Sequence, residues 1–283
     1  MTIANLAGVL SGLQPPVYII KNMLNNGNAA TGLYSSSWFG GGNPVAGAYD
    51  TTLNGVTLSS ASAGTLTFYD PPTGDCYLAR LQGSIAAGTG TPAAAGNYLL
   101  LCDRLWHNGG LDITGASSPQ AITSPTWPAR DIDGTAKGEG VFLACELSAQ
   151  ASTGTAPASI TIGYTNSKGV SGRTASCIVT IPAGGTAAFQ ERVFLFSLQA
   201  GDTGVKSVES FSIATGWTAG TINILAYRPI AMLGSFAYRN TTSLDAITGG
   251  LPQIFPGSAL FFIMGYNGGG GSQFVGNVQY TFG

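Results

Sequence analysis

Short apolar runs separated by glycine-rich turns are the feature that most restricts how this chain folds. Glycine accounts for 42 of its 283 residues and follows no fixed period, which excludes a collagen-like triple helix. The clearest hairpin lies in residues 159–181, where Ile160, Ile162 and Tyr164 alternate with other residues before a turn at 166–169. About nine to eleven such strands, with no alternation of strands and helices, indicate an all-β chain. We therefore predict a β-sandwich of the jelly-roll kind.

The two ends of the chain differ from its middle. Apolar residues at positions 3, 6, 10 and 13 fall near helical spacing and predict a short helix that ends before Pro15. The next stretch, to residue 55, is rich in Gly, Asn and Ser and carries large aromatic residues, and no charged residue follows Asp245. We predict three parts: an N-terminal helix and aromatic arm over 1–55, a sandwich body over 56–235, and an aromatic C-terminal strand or arm, uncharged after Asp245, over 236–283.

Charged residues make up only 8% of the chain, against roughly 25% in a typical soluble domain. No apolar run approaches the roughly 20 residues of a membrane-spanning helix, and the aromatic content of 10% argues against disorder. Scattered Lys and Arg with a net charge of −2 argue against nucleic-acid binding. Burial of the surface against other subunits explains the shortage of charge, because interface cores lack charged residues. We therefore expect a homo-oligomer with no membrane or nucleic-acid partner.

The four cysteines are widely spaced and form no C-x-x-C motif. Cys102, Cys145 and Cys177 lie in apolar strand-like runs, and Cys76 begins another. We expect free, buried thiols that act as small apolar residues, which fits assembly in a reducing cytoplasm. The N-terminus also lacks the basic-then-apolar pattern of a signal peptide.

No residue cluster predicts catalysis or metal binding. The single histidine, His107, follows Cys102 and Asp103, but adjacent strand residues point to opposite faces and a zinc site needs three or four ligands. We expect Trp106 to pack inside and His107 to be partly exposed. The run from Asp131 to Gly134 begins like a calcium loop, whose twelfth position would be Phe142 instead of Glu. We therefore predict no enzyme activity, no metal and no cofactor.

Aromatic residues near both ends, and one charged pair in a loop, are the candidates for contacts between subunits. Aromatic residues are enriched in interfaces, and an uncharged aromatic tail needs a partner strand. The alternative for the charged pair is an ordinary surface ion pair worth about 0–1 kcal/mol. The predicted inter-subunit contact residues are Trp38, Phe39, Arg130, Asp131, Phe261, Phe262, Phe274 and Tyr280.

Residues 99–229 contain short sequence segments that resemble those of a group of tailed-bacteriophage virion structural proteins. The segments are LLLCDRLW at 99–106, GGLD at 109–112, WPARD at 127–131, GEG at 138–140, YTN at 164–166, LQAGDTGV at 198–205 and AYRP at 226–229. The resemblance covers just under half of the chain. It implies a particle component, most plausibly on the phage head, and it transfers no catalytic residues.

Together these observations predict a capsid decoration, or cement, protein. Such a protein would be a homo-oligomer, with a trimer favoured, bound to the major capsid protein on the phage head after synthesis in the host cytoplasm. One alternative is another virion component, namely a shell, collar, tail or fibre subunit. A second alternative is a carbohydrate-binding β-sandwich, in which exposed Trp38, Trp106, Trp127 or Trp217 would stack on sugar rings.

Overall fold

A computed structural model describes residues 5–23, 33–87, 97–114, 119–152, 158–179, 191–236, 240–266 and 272–283. The chain forms two compact units from interleaved segments. Unit 1 comprises Met1–Ala48, Ser59–Asp103 and Pro229–Gly283, and unit 2 comprises Tyr49–Leu58 and Arg104–Arg228. This division differs from the three consecutive parts expected from the sequence, because both ends of the chain contribute strands to unit 1.

The described residues are mainly in strands. The helices and strands are, in chain order, α1 Leu6–Gly12, β1 Val17–Met23, β2 Leu33–Ser36, β3 Gly42–Asn43, β4 Val56–Thr57, β5 Cys76–Ala87, β6 Asn97–His107, β7 Gln120–Ala121, β8 Phe142–Ser152, β9 Ala158–Asn166, β10 Arg173–Val179, β11 Arg192–Leu195, β12 Val205–Ile213, β13 Ala219–Phe236, β14 Thr242–Asp245, α2 Ala246–Gly249, β15 Gln253–Ile254, β16 Leu260–Tyr266 and β17 Ser272–Phe282. Neither of these helices is long and apolar enough to cross a membrane.

Unit 1 is a jelly roll. Its eight principal strands pair like the two arms of one long hairpin, in which the first strand pairs with the last, the second with the second to last, and so on. The pairs are β1 with β17, β2 with β16, β5 with β14, and β6 with β13. Pairing of β5 with β17 and of β6 with β16 rolls this hairpin into two four-stranded sheets, β14-β5-β17-β1 and β2-β16-β6-β13. Two rolled sheets of this kind define the jelly-roll fold, so the all-β sandwich prediction is confirmed.

The unit 1 core lies between these two sheets and is apolar. Strand alternation turns Val17 and Ile19 of β1 inward, where they join Leu99 and Leu101 of β6 and Phe262 of β16. Because β17 is paired on both edges, by β1 and β5, the C-terminal segment is an interior strand of the sheet and not a projecting arm.

The predicted N-terminal helix is present as α1. Asn5 caps it, since its side chain accepts a hydrogen bond from the Gly8 N–H at 3.0 Å. The helix packs against the end of β17, where the Thr281 hydroxyl donates to the Val9 carbonyl at 2.8 Å. A Cβ at Gly12 would lie 2.0 Å from the Phe282 carbonyl oxygen, so this contact requires glycine.

Unit 2 is a second rolled sandwich. Its longer segment, Arg104–Arg228, lies in the chain between the two central strands of the unit 1 hairpin, and its shorter segment, Tyr49–Leu58, lies before β5. Strand β8 pairs with β13, and β9 pairs with β12. Strand β10 forms a single β-bridge, from Ser176 to Ser197, which lies two residues beyond the end of β11. The core between its sheets includes Ile162, Phe211 and Ile224. All four cysteines of the chain are free and buried, as predicted.

Candidate assembly surface

The outer face of the β14-β5-β17-β1 sheet is apolar and neutral on its β17 and β1 side. Alternation along β1 buries Val17 and Ile19 and leaves Tyr18 and Ile20 on the outside, with 68% and 46% of their surface exposed. Val275 of β17 lies directly opposite Ile20 and is 38% exposed. Three large apolar side chains are therefore exposed on two neighbouring strands.

Neutral amides surround these three side chains. Asn22 lies opposite Gln273, and Nε2 of the Gln273 side chain donates to Oδ1 of the Asn22 side chain at 3.0 Å. Asn277 lies opposite Tyr18. We call this surface the neutral face, and its residues are Tyr18, Ile20, Asn22, Gln273, Val275 and Asn277.

Charge is absent from the segments that build the neutral face, apart from one residue that points away from it. Residues 5–20 and 246–283 contain no Asp, Glu, Lys or Arg. Lys21 is fully buried, and its Nζ donates to the carbonyls of Pro44 and Val45 at 3.1 and 3.0 Å. Charged side chains begin on the next strand, where the exposed Arg80 of β5 lies opposite Gln279 of β17 on one side and Asp245 of β14 on the other. The uncharged part of the outer face is therefore its β1 and β17 side.

Helix α1 adds two more exposed apolar side chains, Leu6 and Leu10. They lie one turn apart on the helix, while Val9 is buried against β17. Unit 1 thus exposes apolar groups on both the helix and the sheet, and an exposed apolar patch is a candidate surface for contact with another molecule.

The outer face of the β10-β9-β12 sheet in unit 2 has a different chemistry. Its cross-strand rows consist mainly of hydroxyl side chains, such as Ser176 and Ser212 on either side of Thr161. Ile178, which is 67% exposed, is the large apolar side chain on this face among the described residues. We call this surface the hydroxyl face, and it suits contact with water.

The structure places the six predicted aromatic contact residues inside unit 1. Phe262 and Phe274 pack with ring centroids 4.9 Å apart, and the Tyr280 hydroxyl donates to a main-chain carbonyl at 3.0 Å. Their burial within one chain requires no neighbouring subunit, so their role in inter-subunit contact stays a prediction. The buried aromatic residues are Trp38, Phe39, Phe261, Phe262, Phe274 and Tyr280.

Arg130 and Asp131 are also buried, in unit 2, and each has its own partners. The Arg130 guanidinium donates to the Leu58 carbonyl at 2.8 Å. The Asp131 carboxylate accepts hydrogen bonds from the Thr135 N–H at 2.6 Å and from the Gly138 N–H at 2.9 Å. Burial raises the pKa of Asp131, but these hydrogen bonds outweigh it and hold the pKa below its ordinary value. Asp131 thus organises its own loop.

Sequence reasoning missed a buried ionic group in unit 2. The Arg104 guanidinium donates from Nη2 to Glu146 Oε2 at 2.7 Å and to His107 Nδ1 at 2.9 Å. Arginine only donates, so Nδ1 accepts and the neutral imidazole carries its proton on Nε2. Burial, and then the Arg104 charge, lower the His107 pKa to about 2. His107 is buried, so the expectation that it is partly exposed is wrong. The sequence signal for the buried ionic group was Arg104, a charged residue within the apolar run 99–106.

All four tryptophans are buried. The indole N–H of Trp127 donates to the Val205 carbonyl at 2.7 Å, and that of Trp106 donates to the Asn54 carbonyl at 2.9 Å. Trp38 and Trp217 lie in the interior as well, so the exposure that the carbohydrate-binding alternative assigned to the tryptophans is wrong.

No protein-family model matches this chain, and no curated protein matches it. Among solved structures, it is similar to the T=1 particles derived from infectious bursal virus, with 12% identity over 96% of this chain and 79% of that chain and a TM-score of 0.20. The VP2 subviral particle of infectious bursal disease virus gives 9% identity over 96% and 81% and a TM-score of 0.19. TM-scores this low are below those of a shared fold, so no property is transferred from these structures.

Proposed function

We propose that this chain is a structural subunit of a virus particle that buries the neutral face of unit 1 against a neighbouring protein. The observation that carries the proposal is the exposure of Tyr18, Ile20 and Val275 on a sheet face whose strands carry no charge at that point. Interface cores are depleted in charged residues and enriched in aromatic residues relative to the rest of the protein surface, which stays hydrated.

The finer proposal is a decoration protein on the head of a tailed phage. It is supported by the sequence segments within residues 99–229 that resemble phage virion proteins and by the low charge of the whole chain. In this role the partners are other copies of the chain and the major capsid protein, and synthesis takes place in the host cytoplasm. The proposal includes no catalysis, because the one imidazole and the Glu146 carboxylate both bind the Arg104 guanidinium.

Binding to phage heads tests the decoration proposal. Purified chain is mixed with heads that lack it and sedimented, and the bound copies per head are counted by quantitative gel analysis. We expect saturable binding of many copies and greater resistance of the heads to heat. Chain that stays in the supernatant at every concentration would contradict the proposal.

A second candidate, a shell subunit, is favoured by the topology of unit 1. The eight-stranded jelly roll is a fold of viral capsid domains, although lectins and other proteins share it. Electron microscopy of the chain expressed alone separates the two candidates. Closed shells formed without any other protein indicate a shell subunit, and small discrete oligomers indicate a decoration protein.

A further inference from the structure

We infer that the neutral face is a self-association site: two copies of the chain pack their neutral faces together about a two-fold axis. The inference rests on the proposed function, since it names the neighbour that covers this face. It follows from the chemistry, the charge and the size of the face, taken in that order.

The side chains of the neutral face are complementary to copies of themselves. The amides of Asn22, Gln273 and Asn277 each carry both a hydrogen-bond donor and an acceptor, and so does the Tyr18 hydroxyl. Two of these groups bond each other within the chain, Gln273 Nε2 to Asn22 Oδ1, and Asn277 Oδ1 is buried. The other polar atoms of these amides and the phenol can bond their counterparts on an identical face. Lys, Arg, Asp and Glu lack this property, because an ionised group meets a like charge on a second copy.

The neutrality of the face also selects its partner. A charged surface pressed against Ile20 and Val275 would lose its hydration without gaining an opposite charge, which is costly. A second copy offers a surface that is uncharged over the same area, because residues 5–20 and 246–283 contain no ionisable Asp, Glu, Lys or Arg. Charge complementarity therefore favours a second copy over a protein with an ordinary charged surface.

The neutral face is the centre of a larger contact. With a rise of about 3.3 Å per residue and a spacing of about 4.8 Å between strands, β1 and β17 present roughly 300 Å² of sheet, and the whole sheet from β14 to β3 presents roughly 600 Å². Leu6 and Leu10 of α1 add to the apolar area. A standard specific interface buries about 800 Å² per partner, so the contact extends beyond the neutral face, over helix α1 and over the strand that carries Arg80.

The symmetry follows from self-complementarity. A surface that binds an identical surface gives an isologous contact, which closes as a two-fold dimer. A ring of three copies would instead need two different complementary patches on each chain. The neutral face therefore leads to a dimer in solution, whereas the sequence favoured a trimer.

Solution mass measurement of the full chain tests the inference. Wild-type chain of 28.7 kDa is examined by sedimentation equilibrium beside Ile20→Glu, which places a charge in the neutral face, and Ile178→Glu, which places the same charge on the hydroxyl face. We expect dimers for the wild type and Ile178→Glu, and at least a 100-fold weaker dimer for Ile20→Glu. A wild-type monomer or trimer, or an Ile20→Glu dimer of unchanged affinity, overturns the inference.

Footprinting of the wild-type chain gives a result that does not depend on how a variant folds. Hydroxyl-radical oxidation of Tyr18 is measured at low and high chain concentration, with the peptide that contains Ile178 as the internal reference. We expect the oxidation of Tyr18 to fall at least fivefold at high concentration while the reference stays constant. Equal oxidation of Tyr18 at both concentrations overturns the inference.

The outcomes separate this inference from the proposed function. A chain that is monomeric but binds phage heads overturns self-association and leaves the decoration role in place. A chain that forms the Ile20-dependent dimer but ignores heads supports self-association and contradicts decoration.

Discussion

Unit 1 and unit 2 are both rolled β-sandwiches, but they differ sharply in charge. Of the 24 charged side chains, 17 belong to unit 2 and only seven to unit 1. Unit 2 uses charge to hold its parts together, as where Arg173 donates two hydrogen bonds to Asp202 at 2.9 and 3.0 Å. The low charge of the chain is therefore mainly a property of unit 1, the unit that bears the neutral face. The comparison supports the proposal that unit 1 provides the assembly surface, whereas the hydroxyl face of unit 2 suits contact with water.

Removing the buried carboxylate of unit 2 is expected to have the largest effect. Glu146→Ala removes the carboxylate that lies 2.7 Å from the buried Arg104 guanidinium, and we expect a loss of about 3–5 kcal/mol in the free energy of unfolding, measured by urea titration. The double variant Arg104→Met with Glu146→Leu should recover much of this loss, because it removes both charges. A loss below about 1 kcal/mol in Glu146→Ala would show that the pair contributes little.

Mild acid is expected to weaken unit 2 through its histidine. The His107 pKa is about 2 in the folded chain and about 6.5 in an unfolded one, so between these values only the unfolded chain gains a proton. Stability should therefore be complete above about pH 6.5 and fall by about 1.4 kcal/mol per pH unit below it. Denaturant titrations between pH 6.5 and 4.5 measure this slope. His107→Gln should flatten it, and an equal slope in that variant would refute the assignment.

Lys21 gives the matching experiment in unit 1. Its buried ammonium donates to the neutral carbonyls of Pro44 and Val45. A buried carbonyl left without a donor costs less than a buried charge left without an opposite charge beside it, so Lys21→Met should cost less than Glu146→Ala. We expect about 2 kcal/mol, the cost of leaving buried acceptors without a donor, measured by urea titration. The exposed Lys206→Met serves as the control and should change stability by less than about 0.5 kcal/mol. If Lys21→Met lowers the free energy of unfolding as much as Glu146→Ala does, the two units do not differ in how strongly they depend on a buried charge.

Changes on the two outer faces are expected to affect stability least. Tyr18→Ser and Ile178→Ser should each change the free energy of unfolding of dilute chain by no more than about 0.5 kcal/mol, because both side chains are largely exposed. Thermal unfolding at low and high concentration sharpens the comparison. Only Tyr18→Ser should abolish the concentration dependence seen in the wild type. Loss of that dependence in Ile178→Ser would instead place the contact on the hydroxyl face.

The sequence alone determined the local features of this protein. Alternation in segments such as Ile160–Ile162–Tyr164 is a property of neighbouring residues, and it correctly predicted an all-β sandwich. The helix near the N-terminus and the free, buried cysteines were also accessible, because spacing and the apolar context of a residue can be read along the chain.

The tertiary structure alone decided which apolar residues are interior and which are exposed. The aromatic, uncharged segment predicts Phe262 and Phe274 as contact residues, and the structure buries both rings in the unit 1 core, on strands that are paired on both edges. Conversely, Tyr18 and Ile20 resemble any buried strand residues until the pairing of β1 with β17 fixes their side of the sheet. The pairing of β1 with β17 joins residues about 250 positions apart, and the Arg104–Glu146 pair joins residues 42 positions apart, so no local pattern could place either the neutral face or the ion pair.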